Sequence, residues 1–166
     1  MTTKITIITK RRMTFMKKKT AFLTALFGLI AMPFASATVP DEQIALDGIA
    51  PGAAIDDVKA KYPAMRRIDG DSYLVADGFV VEADEYRPKV VEEVKVYSNN
   101  KTVKTTAGVG VGLPESELNS AYGTADKIDR DRYEVEYIYY NDSHTLKMKF
   151  KVVNDIIQKI TCELKN

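Results

Sequence analysis

The chain has 166 residues, with 24 Lys and Arg against 23 Asp and Glu, a single His, a single Cys and no Trp. Its 45% apolar content suits one globular domain and excludes a wholly disordered, collagen-like or polytopic membrane chain. The charge is unevenly spread: residues 1–37 hold seven basic residues and no acidic one, leaving 17 basic against 23 acidic residues, a net of −6, to residues 38–166.

The basic triplet Lys17-Lys18-Lys19 precedes an apolar run from Ala21 to Met32. Pro33 then breaks any helix, and Ala35-Ser36-Ala37 supplies small residues at the last and third-last positions before a cleavage site. This three-part layout predicts a signal peptide cleaved after Ala37, because the apolar core is too short to span a bilayer. Met13 and Met16 are alternative starts to Met1 that leave the same product. No Cys lies near the cleavage site, so the expected product is exported, periplasmic or secreted, without a lipid anchor or a membrane span. Residues 38–43 read as a short linker.

From residue 44 the chain reads as two similar stretches, 44–102 and 103–166, forming one combined domain. Extended segments Ile44–Leu46 and Val103–Thr106 each run into glycines, Gly48 to Gly52 and Gly108 to Gly112. Helices are predicted over Ala54–Tyr62 and Pro114–Tyr122, with Ile55, Val58 and Tyr62, and Leu118 and Tyr122, as narrow apolar stripes. Acidic residues near each helix start (Asp56, Asp57; Glu115, Glu117) suit the dipole. Strands are predicted over Tyr73–Val75, Phe79–Val81 and Val91–Tyr97, then over Tyr133–Tyr139, Leu146–Val152 and Ile156–Leu164, with a hairpin turn at Asn141–His144. Alternation in the last three puts Glu134, Glu136, Lys147, Lys149 and Lys151 on a solvated face. It also turns Tyr133, Tyr137, Tyr139 and the lone thiol of Cys162 toward the apolar side.

The two stretches match at a fixed offset: Gly48-Ile49 with Gly108-Val109, Asp57-Val58 with Glu117-Leu118, Tyr62 with Tyr122, and Ile68-Asp69 with Ile128-Asp129. The fold class expected from this is α+β: two tandem helix-plus-β-meander repeats sharing one curved antiparallel sheet, with helices on one face. The pattern Gly-Ile/Val-x-x-Gly, then Asp/Glu-Val/Leu, then Tyr before Gly or Pro resembles the repeat unit of the β-lactamase-inhibitory-protein-like superfamily. That superfamily holds tandem-repeat inhibitors and small lipoproteins of the outer-membrane assembly machinery. The resemblance covers roughly residues 44–164 and implies an exported binding module without catalytic residues, which holds a protein partner by its open sheet face or its loops.

The side chains suggest no active site. His144 lies in a predicted turn, and neighbouring Asp142 and Ser143 cannot form a triad with it from such a segment. Glu134 and Glu136, about 7 Å apart on one strand face, have the separation an inverting glycosidase uses, but the lysines opposite would keep both ionised. Asp69, Asp71, Asp129 and Asp131 read as turn residues, since a Ca²⁺ site needs six to eight oxygens. No metal or cofactor is expected. The glycines of 108–112 lack the Lys-Ser/Thr of a phosphate loop. With no basic stripe beyond residue 37, nucleic acid is not an expected partner. The function expected is therefore a non-catalytic domain that binds a protein or envelope component, with Ile138 and Tyr140 as anchors on the open face. The alternatives are a small exported hydrolase using Glu134 and Glu136, or a structural or assembly protein.

Overall fold

A computed structural model describes residues 38–165; the predicted signal peptide and its cleavage site lie outside the described residues. Helix α1 spans Ile55–Lys61 and is followed by strands β1 (Arg66–Asp69), β2 (Ser72–Ala76), β3 (Phe79–Ala83) and β4 (Val91–Tyr97). Helix α2, Ser116–Tyr122, is followed by β5 (Lys127–Arg130), β6 (Val135–Tyr140), β7 (Leu146–Val153) and β8 (Ile156–Leu164). All eight strands form one antiparallel sheet in the order β1-β2-β3-β4-β8-β7-β6-β5.

This corrects the expected architecture. The described residues form a single eight-stranded sheet with two α-helices of seven residues each and a short 3-10 turn at Asp41–Gln43, not a pair of helix-plus-β-meander repeats. The physical reason lies in the seam between β4 and β8. Five register pairs, from Glu93↔Glu163 to Tyr97↔Lys159, hydrogen-bond these strands into one continuous ladder. Two-turn helices are too short to form a layer over it. The matched glycines mark turns: Gly52 and Gly112 take positive φ (89° and 87°) and donate N–H groups to Val91 O and Ile157 O at 2.7 and 2.8 Å.

Both helices are tied to the sheet by backbone. The N–H of Ile55 donates to Lys89 O, and that of Glu115 to Asp155 O, each at 2.9 Å, where a side-chain cap is absent. Ile55 and Val58 of α1 and Leu118 and Tyr122 of α2 are buried in one core with Phe79, Val94, Phe150 and Ile160. Tyr62 meets Phe79 edge-on at 6.0 Å, while Tyr122, Tyr139 and Phe150 pack as a triad with centroids 5.3–5.9 Å apart. Cys162 is fully buried in the same core. Burial pushes its thiol well above the ordinary range, so it is an inert packing group.

Three local features refine the sequence reading. Residues 38–43, read as a short linker, are tied to the sheet: Val39 is buried and donates its N–H to Tyr140 O at 3.1 Å, and Asp41 accepts from the Asn141 amide at 2.9 Å. Tyr133 does not face the core. It precedes β6 in a turn closed by the Asp131 carboxylate, is 74% exposed, and stacks on Arg132. Strands β1 and β5, absent from the sequence reading, form the two edges and are exposed at every position.

Candidate functional site

Both helices cover the face of the sheet that carries Phe79, Phe150 and Ile160, so among the described residues the other face is free of helices. The strand registers arrange it in rows. One row runs Tyr140, Lys147, Glu163, Glu93, Glu82 and Ser72 from β6 to β2. The next runs Ile138, Lys149, Thr161, Lys95, Val80 and Leu74. A third runs Asp129, Glu136, Lys151, Lys159 and Tyr97. The first row thus holds three carboxylates and one lysine, the second two lysines and no carboxylate, and the third two of each.

Ion pairs link these rows. Glu163, on β8, receives Lys147 at 2.6 Å and Lys149 at 3.0 Å. Burial alone would raise the Glu163 carboxyl, but its bonds and attraction to the two ammonium groups outweigh that and hold it below the ordinary carboxylate range. Directly opposite, Glu93 is pushed the other way: burial raises it, and Glu82 beside it outweighs part of what Lys95 gives back. Lys95 reaches Glu82 at 2.8 Å and Glu93 at 3.0 Å. Burial works against its charge, yet both carboxylates together hold its ammonium above the usual value.

The glutamates weighed for hydrolysis sit in this lattice. Glu134 precedes β6 and pairs with Lys151 at 2.7 Å, while Glu136 faces Lys151 in register. Of the three lysines expected beside them only Lys151 forms that pair; Lys147 and Lys149 turn to Glu163 instead. His144 lies exposed at the hairpin tip with φ 54°, its ring 5.1 Å from that of Tyr140. Cys162 is enclosed on the opposite face, so its thiol does not meet this imidazole. Asp71 pairs with Arg67, Asp129 with Lys127, and Asp131 closes the turn before β6. Among the described residues no group of three or more His, Cys, Asp or Glu is placed to hold a metal ion. No helix among them is long and apolar enough to cross a membrane.

Ile138 and Tyr140 do share the open face. Ile138, however, is only 6% exposed between Lys127 and Lys149, its register partners. Lysine stems lie along apolar surface in this way while their ammonium groups stay in water, so Ile138 has little area left for a partner. Tyr140 is half-buried, with Lys165 over its ring at 5.1 Å. Two residues that the sequence reading passed over join it on this face: Tyr97, 38% exposed beneath the Lys159 ammonium, and Lys159 itself. On the helix side, an apolar cleft of about 250 Å³ lies between α2 and β6, lined by Leu118, Gly123, Ile128, Tyr137 and Tyr139.

No family model matches the sequence, and no curated protein matches it significantly. The structure is similar to that of a DUF4309 family protein (YjgB) from Bacillus subtilis, at 16% sequence identity and a TM-score of 0.44, over 68% of this chain and 79% of that one. A likeness so remote carries no inference about this chain.

Proposed function

We propose that this is an exported, non-catalytic module that binds a protein or a component of the cell envelope through the helix-free face of its sheet. The observation that carries the reading is the state of that face. Its charged side chains are half-buried and tied in pairs across β3, β4, β8 and β7, so they are held in place before any partner arrives. Ordering of this kind removes a cost that flexible surface side chains incur on binding. Tyr140 and Tyr97, on opposite sides of the lysine rows, supply the aromatic area that interface centres favour. The pattern of residues 1–37 supports export, and the resemblance of residues 44–164 to inhibitory and assembly modules supports a binding role.

The test is affinity capture with protein produced from the full sequence, against envelope extract of the producing cells. A partner retained by the native protein and lost by Tyr140→Asp, with circular dichroism unchanged, supports the reading. Capture that is indifferent to Tyr140→Asp and Tyr97→Asp alike refutes the assignment of the face.

A further inference from the structure

We propose that Lys151 and Lys159 form a subsite for a phosphate group, so that the ligand of the helix-free face carries a phosphoryl anion. The assignment rests on reading that face as the binding surface and adds the chemistry of what it receives.

Lys151 and Lys159 are register partners on β7 and β8. Side chains so placed have Cβ atoms about 5 Å apart, and like charges in that position repel. Lys149 and Lys95, one row away, flank Thr161 on its two sides, and their ammonium groups turn to the far row, to Glu163 and to Glu82 with Glu93. Carboxylates neutralise most of these: Glu134 takes Lys151, which Glu136 also faces in register, Glu163 takes Lys149, and Glu82 with Glu93 takes Lys95. Lys159 makes no ion pair among the described residues, and its contact is the face of the Tyr97 ring at 5.3 Å. It is half-buried, so water compensates its charge less than it does for an exposed lysine.

The backbone is shaped to produce this arrangement. The pairing shifts between Lys151↔Lys159 and Val152↔Ile157, which leaves Gln158 as an extra residue in β8. Strict alternation would put Ile157 and Lys159 on the same face. The bulge instead sends Ile157 into the core, fully buried, and Lys159 to the open face. Bulges re-aim side chains in this way and concentrate near functional sites. Burial lowers the proton affinity of Lys159, and Lys95, Lys149 and Lys151 lower it further against the pull of Glu93. A dianion resting between Lys151 and Lys159 would relieve both the repulsion and the lost hydration. A phosphate monoester suits this better than a carboxylate, having charge and acceptors enough for both ammonium groups.

Inorganic phosphate is the probe, titrated into protein produced from the full sequence at low ionic strength, with chloride at equal ionic strength as the reference. Phosphate is expected to raise the unfolding temperature where chloride does not. Lys159→Gln should weaken phosphate binding about tenfold, while Lys59→Gln, on the exposed side of α1, should leave it unchanged. In the native protein, the side-chain carbon resonance of Lys159 should titrate at higher pH with phosphate present, a readout that needs no variant to fold. Glycerol phosphate binding more tightly than inorganic phosphate would place the anion on a larger ligand; equal affinity would make the free ion the ligand. Equal stabilisation by chloride, or an unmoved Lys159 titration, overturns the proposal. Failure here, with partner capture still dependent on Tyr140, would remove the subsite and leave the binding face standing.

Discussion

Asn141 is the residue on which the β6–β7 hairpin turns. Its side chain is fully buried; the amide nitrogen reaches Asp41, Ser143 and Thr145, and its oxygen accepts the N–H groups of Thr145 and Leu146 at 2.9 Å each. Asn141→Ala strands those N–H groups and should cost about 2–3 kcal/mol in urea unfolding; a loss below the scatter of surface substitutions would show the hub to be dispensable. Glu93 and Glu163 face each other across the seam with opposite shifts, so their removal should have opposite consequences. The Glu163 carboxyl is depressed in the folded state, so its stabilisation is present above the unfolded value of about 4.3 and is lost as pH falls through the folded one. Glu163→Gln should therefore cost about 1–2 kcal/mol at neutral pH and converge with the native protein in acid. Glu93 is raised, so its ionised form opposes folding at neutral pH, and Glu93→Gln should be neutral or mildly stabilising there. Urea midpoints across the acid range separate these outcomes, and equal losses at neutral pH would refute the contrast.

Among the elements, α2 depends on where it stops. Gly123 takes φ 72° and ψ −150°, a conformation that L side chains rarely adopt. Nothing lies within 4 Å of a Cβ added there, so Gly123→Ala would act through backbone strain alone. It should cost about 1–3 kcal/mol, read from the urea midpoint; a neutral result would mean that α2 can end differently. Elements with a clear period were legible in the sequence. In β7, Met148, Phe150 and Val152 alternate with three lysines, and burial follows that alternation. The edge strands were not legible. Arg66–Asp69 and Lys127–Arg130 are exposed at every position, so no apolar period announces them. The bulge at Gln158 was equally hidden, because Ile156 and Ile157 are both apolar and the frame shift shows only in the pairing. For Ile138 the face was legible but the exposure was not, since lysine stems from neighbouring strands cover it.

At the scale of the molecule, the β4–β8 seam makes the sheet one body. Val94, Val96, Ile160 and Cys162 are fully buried along it, and each large apolar group so buried is worth about 1.5–3 kcal/mol. Unfolding should accordingly be a single transition, with calorimetric and van't Hoff enthalpies equal; two resolved transitions would mean that the seam does not couple the halves. The repeated glycine and tyrosine spacing is real in the sequence, but what it marks in the folded chain is turns and helix ends on one continuous sheet. The same continuity carries the ion-pair lattice from β3 to β7, and with it the surface offered to a partner. The most direct test of that surface is lysine acylation footprinting by mass spectrometry, with and without the captured partner. Binding through the helix-free face predicts that Lys147, Lys149, Lys151 and Lys159 become protected while Lys59 and Lys61 of α1 react as before; protection of the α1 lysines with the sheet-face lysines unchanged would contradict it.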